Sequence, residues 1–353
     1  MSEFFNPRLA SLEAYTPGEQ PQDRTYIKLN TNESPYPPSR GVRKALDRKR
    51  IDALRLYCDP NATALKGELA KLYGKKPTQI FVSNGSDDIL NFAFLAFGAD
   101  GILFPDISYG FYEVFANLHS LPYEKVSLQK DFTIDVDDYC KQNKMVVIAN
   151  PNAPTGMALP VKKIEKILKA NPGHVVLVDE AYVDFGGESC ADLIEKYPNL
   201  LCVQTFSKSR SMAGARLGFA IGSEELIADL EKIKYSTNPY NVNALTQAAG
   251  VAAVEDNGYY MRNCRRIIKS RNYTKKELEK LGFEVMPSKA NFLFAKSDKV
   301  GGRELYLLLK EKGILVRHFQ KERIKDYNRI TIGSQKEMEA FIDAVKEILG
   351  ESL

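Results

Sequence analysis

No C-x-x-C pair occurs in this chain of 353 residues, and its five cysteines (Cys58, Cys140, Cys190, Cys202, Cys264) are widely spaced. Structural zinc and a disulfide framework need clustered or paired thiols, so neither is expected, and a reducing cytosol fits. Histidine is equally sparse: His119, His174 and His318 lie far apart in sequence, and no metal site is expected. Long apolar runs are missing too. The richest, FAFLAFGADGILF (92–104), is broken by Gly98, Asp100 and Gly101 and is too short to span a bilayer. The opening MSEFFNPRLASLEAY has acidic and polar residues where a signal peptide needs a basic end and an apolar run, so a cytoplasmic protein is expected. Charge of one sign is nowhere concentrated. The 49 Lys and Arg and 45 Asp and Glu give a formal net charge of +4, spread along the chain, which points away from nucleic acid and toward small anions.

The length suits two domains, one of them large. Residues 1–40 contain YTPGEQPQD and NTNESPYPPS and read as an irregular arm rather than a packed element. From 41 to 238, amphipathic helical stretches such as ALKGELAKLYG alternate with short apolar runs: QIFVSNG, GILFPD, KMVVIANPN, HVVLVDEAY, LLCVQTFS and LGFAIG. That alternation predicts an α/β domain with a mostly parallel sheet covered by helices on both faces. Residues 239–353 change pattern. A long helical stretch is followed by FEVMPSKANFLFAK, a helix near 302–312, GILVRHF, NRITIG and a last helix from 335, which predicts a smaller α+β domain. There is no internal repeat and no low-complexity segment.

Open α/β sheets bind ligands where strands end, and four such ends carry chemistry here. In TFSKSRSMAGARLGF (205–219), Lys208 offers an amine while Ser207 and Arg216 can hold a phosphate. A lysine becomes a useful nucleophile when its pKa is lowered or when it bonds an aldehyde. In VSNGSDDILNFAF (82–94), the Gly85-Ser86-Asp87 turn opens a helix whose free N–H groups suit an anion. In VVLVDEAYVDF (175–185), Asp179 ends a buried strand and needs a cationic partner, with Tyr182 three residues on. In ANPNAPTG (149–156), the Asn152 amide can donate to a phenolate oxygen. Each alone has an ordinary explanation as solvated lysine, N-cap, salt-bridge carboxylate or turn asparagine. Together, in this order, they describe a site for a phosphorylated aldehyde.

With these motifs in place, the chain resembles the fold-type I pyridoxal 5′-phosphate enzymes, specifically the class II aminotransferases, and within them most closely the histidinol-phosphate branch. LNTNESPYPPS (29–39), RLYCDPNATALKGELA, NGSDDIL, FPDISYGFY, PNAPTG, DEAYVDF, the lysine segment and NRITIG follow the family's order and spacing over nearly the whole chain. The resemblance implies that Lys208 bonds the cofactor aldehyde and later shuttles a proton, and that Asp179 pairs with the pyridine nitrogen. It further implies that Tyr182 and Asn152 contact the ring oxygen O3′ and that Tyr109 stacks on the ring. Gly85, Ser86 and the Asp87 backbone, with Ser207 and Arg216, would bind the cofactor phosphate. Tyr57 would join them from a second subunit, which makes the protein a homodimer with shared sites. For substrate, Arg317 and Arg329 would clamp anions, with Tyr15 and Asn32 lining the pocket.

The implied reaction, a step of histidine biosynthesis, moves the amino group of L-histidinol phosphate to 2-oxoglutarate, giving imidazole acetol phosphate and L-glutamate. The same scaffold would suit an aromatic amino-acid aminotransferase or a threonine-phosphate-type decarboxylase. A cofactor-binding regulator would need a DNA-binding segment, and the arm is too short and too rich in proline for a helix-turn-helix. One position departs from the family pattern. Its P-N-N-P-T-G has an Asn on O3′ where this chain has Ala153, so either Asn152 takes over through a shifted turn, the favoured expectation, or Tyr182 alone holds O3′.

Overall fold

The computed structural model describes residues 2–10 and 12–351. Its strands in chain order are β1 Ile27–Lys28, β2 Ile80–Ser83, β3 Ile102–Pro105, β4 Tyr123–Val126, β5 Met145–Ala149, β6 Val176–Asp179 and β7 Leu200–Thr205. They continue with β8 Gly218–Gly222, β9 Phe283–Val285, β10 Phe292–Ser297, β11 Ile314–Leu315, β12 Arg317–His318 and β13 Asn328–Thr331. Seven of these form the central sheet, in the order β2-β8-β7-β6-β5-β3-β4, with β8 antiparallel to both neighbours and the other pairs parallel. The α/β expectation therefore holds.

The apolar runs become strands because both faces of this sheet are covered, so every residue of β5, β6 and β7 is buried. Alternate residues serve opposite faces. Val146, Ile148, Val176 and Val178 pack on one side, and Met145, Val147, Leu177 and Val203 on the other. Each such side chain contributes about 1.5–3 kcal/mol by leaving water. The edge strand β4 was not among the expected runs. Its Glu124 and Lys125 are exposed, so it lacks the apolar signature of the inner strands.

A second sheet, β12-β13-β10-β9, is antiparallel and shares a core with the long helix Asn257–Lys280 and the last helix Gln335–Leu349. Ser334 and Glu337 close a capping box on that last helix. The helix Ala244–Glu255 instead contributes Ala249, Ala252 and Ala253 to the large core.

The arm is not wholly irregular. β1 pairs in parallel with β11, Leu29 is buried in the small core, and Asn30 and Asn32 are each only 1% exposed. Turn-forming Asn and Ser residues hid this packing, because the partners lie some 300 residues away in sequence.

Candidate active site

Of the polar residues singled out above, Ser86, Asp87, Tyr109, Asp179, Tyr182, Ser207, Lys208 and Arg216 converge at the carboxyl-terminal edge of the central sheet. Ser86 follows β2, Tyr109 follows β3, Pro151 and Ala153 follow β5, Asp179 ends β6 and Lys208 follows β7. Because β8 runs antiparallel, its beginning lies at the same edge, which brings in Arg216. They line one cleft with about 530 Å³ of empty space, its mouth included.

The anion end of the cleft is built from glycine. Gly85 has φ +88° ahead of the helix Ser86–Phe97, and a Cβ there would lie 2.7 Å from Arg216 Nη2. Gly218 packs equally close: a Cβ on it would meet Gly85 C and Ser86 N at 2.5 Å. Two missing side chains thus let β8 and Arg216 press against a helix N-terminus, whose N–H groups are a ready anion site. Arg216, held at φ +52°, donates through Nη2 to Asp87 Oδ2 at 2.9 Å, and the Tyr109 hydroxyl donates to Asp87 Oδ1 at 2.8 Å. The sequence reading used only the backbone of Asp87; its carboxylate holds two neighbours in place.

Lys208 and Asp179 occupy the floor. Burial, then the positive charge of Arg329, lowers the Lys208 pKa from its ordinary 10.5 to about 8, so a reactive neutral amine is accessible near neutral pH. Among the described residues its Nζ makes only one hydrogen bond, a long one to Thr31 O at 3.4 Å. Asp179, 5% exposed, is pushed up by burial to about 6, despite bonds from Tyr112 Oη at 2.8 Å and the Ala181 N–H at 3.2 Å. A cation beside it would restore the carboxylate. Tyr112 lies in the FPDISYGFY motif beside the expected Tyr109, yet only the structure shows its hydroxyl on Asp179.

Asn152 does not take part. Its Nδ2 donates to Ile107 O and Thr155 Oγ1, both at 3.0 Å, and its Oδ1 accepts from Ser108 Oγ at 2.8 Å. With the amide occupied inside the turn, Ala153 faces the cleft, so no shifted turn replaces the family asparagine. Tyr182 does face it, with its hydroxyl 2.9 Å from Asn32 Nδ2. Asn32 is therefore engaged with Tyr182 and is buried, rather than lining an open pocket.

At the substrate side, Arg329 donates through Nη2 to Asn30 O at 2.9 Å, while its buried Nε has no partner among the described residues. Arg317, its cross-strand neighbour, donates to Thr16 O at 3.1 Å and Pro17 O at 3.2 Å. Tyr15 stacks on Phe111 at 4.2 Å and meets Tyr109 edge-on at 6.2 Å, so the arm reaches over the cleft. Phe111 was not anticipated. Tyr57 stands apart: it is 83% exposed, stacks on Tyr240 at 4.5 Å and does not line this chain's cleft.

The family model for class I and II aminotransferases matches residues 24–345. The chain belongs to that aminotransferase family. It is 50% identical over 352 residues to a histidinol-phosphate aminotransferase of Brachyspira hyodysenteriae, with 99% of each chain covered. Among solved structures it is similar to the histidinol-phosphate aminotransferase of Clostridium acetobutylicum, with 26% identity, a TM-score of 0.85 and coverage of 92% and 99%. The enzyme of Sinorhizobium meliloti, solved in complex with pyridoxal-5′-phosphate, shares the fold with a TM-score of 0.88 at 22% identity, covering 99% and 98%. No described helix is long and apolar enough to cross a membrane, and no described cluster of His, Cys, Asp and Glu suits a metal ion.

Proposed function

We propose that this aminotransferase uses pyridoxal 5′-phosphate to move the amino group of L-histidinol phosphate to 2-oxoglutarate, in histidine biosynthesis. The residues present fit the cofactor. A glycine-lined helix N-terminus with Arg216 suits its phosphate, an amine lowered to about 8 suits its aldehyde, and a buried carboxyl raised to about 6 suits its ring nitrogen. When bound, the cofactor supplies an aldehyde for the amine and an electron-withdrawing ring.

The protein's own residues do the rest. Asp179 holds a positive ring nitrogen, Tyr109 covers the ring, and Arg216 and Ser207 fix the phosphate end. Lys208 Nζ would hold the cofactor aldehyde at rest and, as a free amine, would take the proton from the substrate carbon and return it to the cofactor side. Arg329 and Arg317 bind the anionic groups of both substrates in turn, and Tyr15 limits water entry.

The observation that carries the choice of donor is the 50% identity, over the full length, to a histidinol-phosphate aminotransferase. The unpartnered Nε of Arg329 agrees with an anionic substrate. The test is turnover of histidinol phosphate with 2-oxoglutarate, alongside phenylalanine and threonine phosphate. Glutamate formation fastest from histidinol phosphate is expected; none from it would sink the reading.

The reading extends to a cytoplasmic homodimer with shared sites. Exposed Ile51, Leu54, Leu56 and Tyr57 form an apolar stretch that supports burial against a second copy. It also extends to three parts: the arm, a large domain and a small domain. The packing of the helix Ala244–Glu255 on the large core supports moving the second boundary from 238 to the start of the helix Asn257–Lys280.

A further inference from the structure

Asn32 is tightly held within the arm. It is 1% exposed and has φ +57°, a left-handed conformation that asparagine tolerates better than most residues. Four hydrogen bonds hold it there. Its N–H donates to Thr331 Oγ1 at 2.9 Å, its Oδ1 accepts from that same hydroxyl at 2.9 Å, its carbonyl accepts from Asn291 Nδ2 at 2.9 Å, and its Nδ2 donates to Tyr182 Oη at 2.9 Å.

The Thr331 hydroxyl fixes which way the amide faces. Its oxygen already accepts the Asn32 N–H, so its single proton needs an acceptor, and the Asn32 side-chain oxygen supplies it. The amide nitrogen must then face Tyr182. A phenol that accepts from Asn32 has its own proton left over, and among the described residues it donates to none. That proton is free to be donated into the cleft, which Tyr182 and Ala153 both line.

We propose that Asn32 is a positioning residue that works through Tyr182, directing and strengthening its donation to the cofactor's ring oxygen where the family asparagine is missing. A donor that itself accepts a hydrogen bond is polarised and donates more strongly. Negative charge drawn off the ring oxygen no longer helps to hold the proton on Lys208 Nζ. Losing the Asn32 amide therefore raises the pH at which that proton leaves. This inference rests on the proposed cofactor.

The test is a pH titration of the visible absorption band of the cofactor-loaded protein. Asn32→Gly keeps the left-handed backbone and removes only the amide; it should raise the midpoint by about half a pH unit, equivalent to about 0.7 kcal/mol. Thr331→Val, which frees the amide to turn, should move it the same way by less and serves if the first variant folds poorly. In a Tyr182→Phe background neither change should add a further shift, because the effect runs through the phenol. An unmoved midpoint in both single variants, or full additivity with Tyr182→Phe, overturns the proposal. Absence of any cofactor band in the unaltered protein would instead overturn the cofactor reading.

Discussion

Arg317 and Arg329 face each other as register partners across β12 and β13, and among the described residues neither has a carboxylate within ion-pair distance. Like charges directly opposite on a sheet are unfavourable, and the pair is tolerable because backbone carbonyls of the arm hold both guanidinium groups. Such a pair is arranged for an anion. Replacing Arg329 by Lys keeps the charge and loses the planar fork. We expect kcat/KM to fall about 10- to 100-fold, the value of one charged hydrogen-bond pair at about 1.5–3 kcal/mol. Arg317→Gln should weaken substrate binding without lowering the melting temperature, since it relieves repulsion. Steady-state kinetics with a thermal melt check both.

Lys208 should weaken the cofactor-free fold at neutral pH. Its folded pKa of about 8 lies below the ordinary 10.5, so below pH 8 both states are charged and the full cost of the buried ammonium applies. Between 8 and 10.5 the folded state loses its proton first and stability rises; above 10.5 the cost is gone. Lys208→Met should therefore be more stable than the unaltered protein by about 2 kcal/mol at pH 7, with the gap closing toward pH 10. Urea unfolding of both cofactor-free proteins at several pH values measures this. A gap independent of pH would contradict it.

Asp179 makes the matching case for a carboxyl. Raised to about 6 from 3.8, it leaves the fold unaffected below pH 3.8, destabilises it progressively between 3.8 and 6, and costs its full amount above that. Asp179→Asn should raise the melting temperature of the cofactor-free protein at pH 7. Catalysis should fall by about 150- to 5,000-fold, from breaking a buried ion pair worth about 3–5 kcal/mol. Gaining stability while losing turnover is the signature of a residue kept for its chemistry.

Tyr57 tests the shared site. If it serves the partner's cofactor, a Tyr57→Ala chain mixed and reassembled with a Lys208→Ala chain forms some dimers with one complete site. Activity above the sum of the two separate variants is expected, together with a dimer mass by light scattering. No gain on mixing would place Tyr57 outside the site.

Gly85→Ala should weaken cofactor binding. The new methyl would meet Arg216 Nη2 at 2.7 Å on a backbone at φ +88°. An expected cost of about 1–3 kcal/mol in a strained turn is at least a fivefold loss of cofactor affinity, read by equilibrium reconstitution.

The inner strands and the residues at their ends were legible because an all-apolar run followed by a lone Lys or Asp leaves few other arrangements. Orientation inside a turn was not. Nothing in ANPNAPTG tells whether the Asn152 amide faces out or, as it does, bonds Ile107 and Thr155. The roles of Asp87 and Tyr112 were hidden for a related reason: their motif was recognisable, but hydrogen bonding to Arg216, Tyr109 and Asp179 depends on three-dimensional placement. Asn32 was placed in the pocket lining by the family resemblance alone, and its bonds to Thr331, 299 residues away, are not written in the arm's own sequence.

That separation has a consequence for how the protein comes to be. The Asn32–Thr331 bonds and the pairing of Ile27 with Ile314 join the first tenth of the chain to its last eighth. On the ribosome, the central sheet has all its strands by residue 222, but the segment carrying Asn32 waits for β13. Contacts of such long range form late and slowly. A nascent chain thus completes its scaffold first and its ring-oxygen wall last, and a truncated product would lack a finished site.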